Sequence, residues 1–153
     1  MRDKMLAGDV CNRIVVIAER GLSLVQAAQL MRKRHVGCLV VVDETGAGRL
    51  VVGMLTDRDI VTAVIARELD AAVLTVGDVM SRELISALED DSIKDMLVTM
   101  RRKGIRRLPV VTTQGMLVGL VTLDDVLSLM AEQLREMASL VETEALRERR
   151  ERA

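Results

Sequence analysis

The sequence predicts an α/β fold of the α+β kind, built as two β-α-β-β-α repeats followed by a long C-terminal helix. Three observations carry that expectation. First, Gly53-Met-Leu-Thr-Asp-Arg-Asp-Ile60 returns 66 residues later as Gly119-Leu-Val-Thr-Leu-Asp-Asp-Val126. Second, the likeness runs on at an offset of 69, pairing Gly8-Asp-Val10 with Gly77-Asp-Val79, Ser23 with Ser92, Met31-Arg32 with Met100-Arg101, and Leu39 to Val42 with Leu108 to Val111. The offset shortens across Thr45-Gly-Ala-Gly48, a Gly-rich turn that tolerates three extra residues. Third, each copy alternates between the apolar periods of strand and helix, and a duplicated order of elements fixes an architecture before any finer reading.

In chain order, Arg13 to Ala18 reads as a short buried strand. Ser23 then caps a helix whose apolar positions are Leu24, Ala27, Ala28 and Met31, and basic residues near Arg34 suit its C-terminal end. Gly37 to Asp43 is a continuous Val-rich strand, Leu50 to Leu55 returns as its hairpin partner, and Asp57 to Glu68 reads as a helix. The second copy places strands at Glu83 to Ala87, Arg107 to Thr112 and Met116 to Val121, with helices at Ser92 to Lys103 and from Leu123 onward. Pro109 within a strand predicts an edge or a bulge. The last helix carries Leu127, Met130, Leu134, Met137, Val141 and Ala145 near helical spacing and ends in the charge run Arg147 to Arg152. Its length outruns so small a module, which favours an intermolecular contact over packing on its own repeat.

Composition narrows the function classes. The chain has 153 residues, 50% of them hydrophobic, with 10 Met and no Phe, Tyr or Trp, so its core is aliphatic and aromatic stacking on a base is excluded. Each repeat alone is near the lower size limit for stability, so the two are expected to fold against each other. With 22 basic and 23 acidic residues, the net charge of −1 argues against a general nucleic-acid or membrane-surface role. No apolar run approaches the roughly 20 residues that span a bilayer, and Met1 to Asp9 lacks the apolar stretch of a signal peptide, which predicts a cytoplasmic location and no membrane partner. Cys11 and Cys38 read as buried reduced thiols.

The repeated motif sets a hydroxyl and a carboxylate at a strand-to-helix turn. An ionised Asp offers two acceptor oxygens to a cis-diol, the Thr hydroxyl can donate or accept, and free N–H groups at the helix start favour phosphate. Thr56 with Asp59, and Thr122 with Asp125, thus fit a ribonucleotide. The same residues are also an ordinary helix cap.

Both copies resemble CBS domains, the regulatory repeats named after cystathionine beta-synthase, and together they resemble a stand-alone CBS pair, or Bateman module. The residues that carry the resemblance are Val76-Gly-Asp-Val-Met80, Arg106-Arg-Leu-Pro-Val-Val111 and both Gly-x-x-Thr-x-x-Asp endings. It implies repeats at 6–70 and 75–130 with a helical extension at 131–153, two copies packed pseudo-symmetrically through their sheets, and adenosine-containing ligands in clefts between them. It further implies that Thr56 and Asp59 hold ribose in one cleft and Thr122 and Asp125 in the other. Ile17, Ala18, Gly37, Cys38 and Leu39 would shape one base pocket, and Ser86, Ala87, Arg107, Leu108 and Pro109 the other.

The copies differ where phosphate would be felt. Arg58 has Asp124 as its counterpart, an anion beside Asp125, so the Thr56/Asp59 cleft is expected to prefer the charged nucleotide. The second would take a nucleoside, a cation-bridged nucleotide or nothing. Arg101 to Lys103 with Arg106 and Arg107 form a basic cluster, better suited to a bound phosphate than to nucleic acid.

Enzyme and metal readings find little support. His35 and Cys38 offer only two ligands, and their counterparts are Gly104 and Arg107. Gly46-Ala-Gly48 is not followed by a helix, and no set of catalytic acid, base and nucleophile stands out. The expectation is a non-catalytic regulatory module. It requires no cofactor, takes AMP, ADP, ATP or S-adenosylmethionine, alone or with Mg, forms a homodimer and acts on its own assembly or on a separate protein partner. The alternative is an interaction module with empty clefts.

Overall fold

The computed structural model describes residues 5–152; readings that fall on Met1 to Lys4 and on Ala153 lie outside them. Each repeat forms a three-stranded sheet. In the first, β1 (Ile17–Ala18) pairs parallel with β2 (Cys38–Thr45), which pairs antiparallel with β3 (Gly48–Thr56). In the second, β4 (Ala87–Leu88), β5 (Arg107–Val111) and β6 (Leu117–Thr122) repeat that order. Helices α2 (Leu24–Arg34) and α5 (Ile93–Lys103) cover the sheets, one-turn helices α1 (Ala7–Val10) and α4 (Val76–Val79) precede each copy, and α3 (Asp57–Ile60) and α6 (Leu123–Glu151) follow the repeated motif.

Strand alternation builds three cores at once. On β2, Leu39 and Val41 face α2, while Val40 and Val42 face the other repeat and meet Val51 and Val111. The second repeat packs Leu108, Val110 and Val121 against Met96 and Met100. The sheets therefore share an apolar layer, the pseudo-symmetric packing expected of two copies.

The one-turn helices cross over between repeats. Ala7 donates to the Asp91 carbonyl and Gly8 to that of Glu89, both at 2.8 Å, and Ala7 is buried in the second core. Reciprocally, Val76 and Gly77 donate to Leu22 and Arg20 at 2.9 Å, and Val76 is buried in the first. Each copy supplies a piece of the other's core, so neither is complete alone.

The predicted strands at 13–18 and 83–87 are far shorter than expected. Asn12 exchanges two backbone hydrogen bonds of 2.9 Å with Leu120, and Ser81 donates to the Met54 carbonyl, so the chain before β1 and before β4 bonds first to the opposite repeat. Only then does it join its own sheet. The helix expected from Asp57 to Glu68 stays α-helical for one turn and continues as a π turn over Val61–Ile65. Thr62 donates its hydroxyl to the Arg58 carbonyl at 2.8 Å within a β-branched run, a competing bond that favours the irregularity.

Pro109 is not on an edge: β5 is the middle strand, with a register shift between Val110 and Val111. It is tolerated because β4 begins pairing only at Val110. In the first repeat the equivalent Val40 N–H donates to the Val16 carbonyl at 3.1 Å, whereas Pro109 has no N–H to offer the equivalent Ile85 carbonyl.

His35 has a conformational explanation. It terminates α2 at φ 54°, the left-handed C-cap that Gly104 occupies after α5 at φ 64°. His35→Gly is expected to stabilise the fold by about 0.5–1 kcal/mol, the relief of a side chain in that region outweighing the added chain entropy. A thermal melt followed by circular dichroism checks it; a lower Tm would contradict it.

Candidate functional site

A cleft of about 460 Å³ opens between the repeats. One wall is the end of β3 and the start of α3, with Met54, Thr56, Asp57, Arg58 and Asp59. The other comes from the second copy and includes Glu83, Leu84, Ile85, Ile105, Arg106 and Arg107. The crossing backbone explains the shape: Ser81 bonds to Met54, so residues 83–85 run beside the Thr56 turn before entering their own sheet.

Thr56 and Asp59 form a reciprocal cap. The Asp59 N–H donates to Thr56 Oγ1 at 3.1 Å, and the Thr56 N–H donates to Asp59 Oδ2 at 2.9 Å. Thr122 and Asp125 repeat it at 3.1 Å and 3.1 Å. Capping and ligand binding are therefore compatible roles of one residue pair. The cap fixes the carboxylate, and Asp59 Oδ1 accepts no hydrogen bond among the described residues, leaving it open to a hydroxyl donor.

The expectation of free N–H groups at this helix start does not hold. Asp57 N donates to the Gly37 carbonyl at 3.0 Å, Arg58 N to Asp57 Oδ1 at 2.8 Å, and Asp59 N to Thr56 Oγ1. An anion here must be met by side chains. Arg58, Arg106 and Arg107 line the cleft, opposed by Asp57, Asp59 and Glu83; Glu83 is bonded outward to Lys103, and Arg106 is paired with Asp124 at 3.2 Å. The basic cluster thus divides, with Arg106 and Arg107 in the wall, Lys103 on Glu83, and Arg101 and Arg102 exposed on the last turn of α5.

Other anticipated residues lie elsewhere. Ala18, Leu39, Ala87 and Leu108 are core side chains, Pro109 is buried, and none lines this cleft. Ser86 and Ile17 are half-buried and also outside its lining. Gly37 borders it: a Cβ built there would come 3.1 Å from Asp57 Oδ2 and 3.7 Å from Arg107 Nη2. Cys38 is buried, and burial raises its thiol pKa against the Arg107 guanidinium, which favours thiolate. Burial likewise raises Cys11. Glu83, Leu84, Ile85 and Ile105 went unanticipated, whereas Arg106 was expected at a phosphate as part of the basic cluster; all five lie within three residues upstream of the expected pocket positions Ser86 and Arg107. Among the described residues no three His, Cys, Asp or Glu side chains are grouped to hold a metal ion, and no helix is long and apolar enough to cross a membrane.

The family model for the CBS domain matches residues 7–66 and 76–132. The chain belongs to the CBS domain family. This CBS pair is 34% identical over 120 residues to hypoxic response protein 1 of Mycobacterium tuberculosis, covering 78% of the chain and 81% of that protein. It is 33% identical to an uncharacterised protein of Methanopyrus kandleri over 78% of the chain, and spans only 60% of that relative's length. Its fold matches the crystal structure of hypoxic response protein 1 with two coordinated zinc ions at a TM-score of 0.73 and 33% identity, over 81% of the chain and 98% of that one. It also matches a crystallised CBS domain pair in complex with 5-methylthioadenosine and S-adenosyl-L-methionine at a TM-score of 0.73 and 29% identity, over 84% and 98%.

The positions of this CBS pair that correspond to the cleft walls differ chemically between the two copies. Carried over by the repeat offsets, the wall opposite Thr122 and Asp125 has Ile14, Val15, Val16, Val36, Gly37 and Cys38 where the first has Glu83, Leu84, Ile85, Ile105, Arg106 and Arg107. None of those second-wall positions is an arginine; Asp124 replaces Arg58 and is paired with Arg106 Nη2 at 3.2 Å, so Arg106 stands between the two turns. The Val16 carbonyl is already bonded to Val40, while its counterpart Ile85 lines the first cleft with no proline N–H to occupy it.

Proposed function

We propose that the protein is a regulatory, non-catalytic module that binds one adenosine-containing ligand in the Thr56–Asp59 cleft. One observation carries this reading: a fixed carboxylate with an open oxygen faces apolar walls, Met54, Leu84, Ile85 and Ile105, flanked by three arginines. Asp59 takes the ribose hydroxyls, the apolar residues take the faces of the base, and Arg58, Arg106 and Arg107 meet phosphate or another anionic group. The open Ile85 carbonyl suits an exocyclic amino donor on the base. The relative crystallised with 5-methylthioadenosine and S-adenosyl-L-methionine supports the ligand class. With no aromatic side chain in the cleft, the base is held by van der Waals contact with aliphatic residues and by backbone bonds in place of stacking. Ligand, with or without Mg, changes how the repeats or subunits sit by favouring one arrangement, and the output passes to a protein partner or to the module's own assembly.

Calorimetric titration with adenosine, AMP, ADP, ATP and S-adenosylmethionine tests the reading. Saturable binding of one equivalent per chain is the expected result. Flat titrations across the series would shift the function to a module whose clefts stay empty and whose role is interaction. AMP is expected to bind about tenfold more tightly than adenosine, equivalent to about 1.4 kcal/mol for one charge-assisted contact. Arg58→Ala should shrink that gap; an unchanged ratio would remove Arg58 from phosphate recognition.

A further inference from the structure

Helix α6 leaves the body of the protein early. Val126 is its buried residue, and every residue from 132 to 152 is exposed. Leu127, Met130, Leu134, Met137 and Val141 recur at alternating intervals of three and four and are 48–66% exposed. That spacing is the seam of a left-handed two-helix coil. Ala131, Ala138 and Ala145 recur every seven residues along one edge of the seam, and Leu140 lies on the other, 72% exposed. A free-standing helix is marginal in water, and a contiguous apolar stripe of this length marks a contact surface.

We infer that this face is covered by the same face of a second copy of the chain, with the two helices antiparallel. Charge selects the direction. Glu144, Glu148 and Glu151 continue the three-four seam, so a parallel pair would press each against its own copy. Run antiparallel with Leu134 opposite Met137 and Met130 opposite Val141, the pair brings Arg147 level with Asp124, and Glu144 falls beside Leu127, its stem on the leucine and its carboxylate in water. Residues 123–137 carry four carboxylates and one arginine, and 146–152 carry four arginines and two carboxylates, so unlike ends meet. The alanines of the two copies face each other across one edge, letting the axes approach the lower end of the roughly 8–10 Å range for packed helices. Covering the seam and Leu140 on both copies removes on the order of 1,000 Å², the scale a specific interface needs.

Sedimentation of the full chain tests the surface and cross-linking tests the direction. The protein is expected to dimerise, and Leu134→Glu with Met137→Glu should raise the dissociation constant at least about tenfold, by placing charges in the centre of the seam. Both side chains are exposed, so the repeats should melt as before. In a Cys11→Ser, Cys38→Ala background, a mixture of Met130→Cys and Val141→Cys oxidised with glutathione should give the mixed disulfide. A wild-type monomer at all concentrations, or a double variant that stays dimeric, would overturn the surface. Self-linked Met130→Cys and self-linked Val141→Cys without the mixed product would overturn the antiparallel direction.

Discussion

Asp59→Ala is expected to weaken AMP binding by about 10- to 100-fold, while Asp125→Ala leaves it unchanged, because one or two hydrogen bonds to a charged group are lost only in the occupied cleft. The two substitutions are matched controls. Each removes the same cap, Asp59 from the Thr56 N–H at 2.9 Å and Asp125 from the Thr122 N–H at 3.1 Å, so their costs to helix stability are alike. Only the surroundings differ: Arg58 and Arg107 flank the first carboxylate, Asp124 adjoins the second, and Arg106 lines the first cleft while pairing with Asp124. Asp59→Asn keeps one acceptor oxygen and should recover part of the loss. Equal effects of the two alanine variants, measured by calorimetry at a temperature where both are folded, would refute the inequality of the clefts.

Gly119→Val is expected to be the most destabilising single change in the repeated motif. A Cβ built at Gly119 falls 2.6 Å from Cys11 Sγ and 2.7 Å from the Asn12 carbonyl oxygen. The segment cannot move aside cheaply, since Asn12 is held to Leu120 by two backbone bonds of 2.9 Å and leads from the crossed-over α1. The cost is about 3 kcal/mol, or about 6–12 °C in Tm for a chain of this size. Gly53 meets the same demand in the first copy, with the Ser81 carbonyl oxygen 2.9 Å from its built Cβ. Gly46→Ala is the control, because nothing lies within 4 Å of a Cβ there. If Gly119→Val melted with Gly46→Ala, the crossing would not be the constraint that places glycine at the head of the motif.

Local signals carried the repeat, the order of elements, the helix caps and the Thr-x-x-Asp turns, because periodicity, Ser23 and Ser92, and the duplicated motif act within a few residues. What the sequence concealed is non-local. The crossover of α1 and α4 depends on backbone bonds between residues far apart in the chain, such as Ala7 to Asp91 and Val76 to Leu22, and no spacing rule announces them. For the same reason Glu83, Leu84 and Ile85 were read as strand and proved to be cleft wall. Leu39 and Leu108, expected to shape base pockets, have their side chains in the cores, and a run of five buried residues on a strand hides which alternate faces which layer. Pro109 was read as a sign of an edge or a bulge; it lies on the middle strand next to a register shift, and is accepted there because the neighbouring strand starts one residue later.

One adenosine ligand is expected in the Thr56–Asp59 cleft. With no Trp, Tyr or Phe the chain is nearly transparent near 260–280 nm, so bound adenine can be read directly from the ultraviolet spectrum after equilibrium dialysis against AMP. One adenine per chain is expected at saturation, with Asp59→Ala requiring about 10- to 100-fold more AMP for the same occupancy. No retained adenine at any concentration, or two equivalents that both survive in Asp59→Ala, would contradict it.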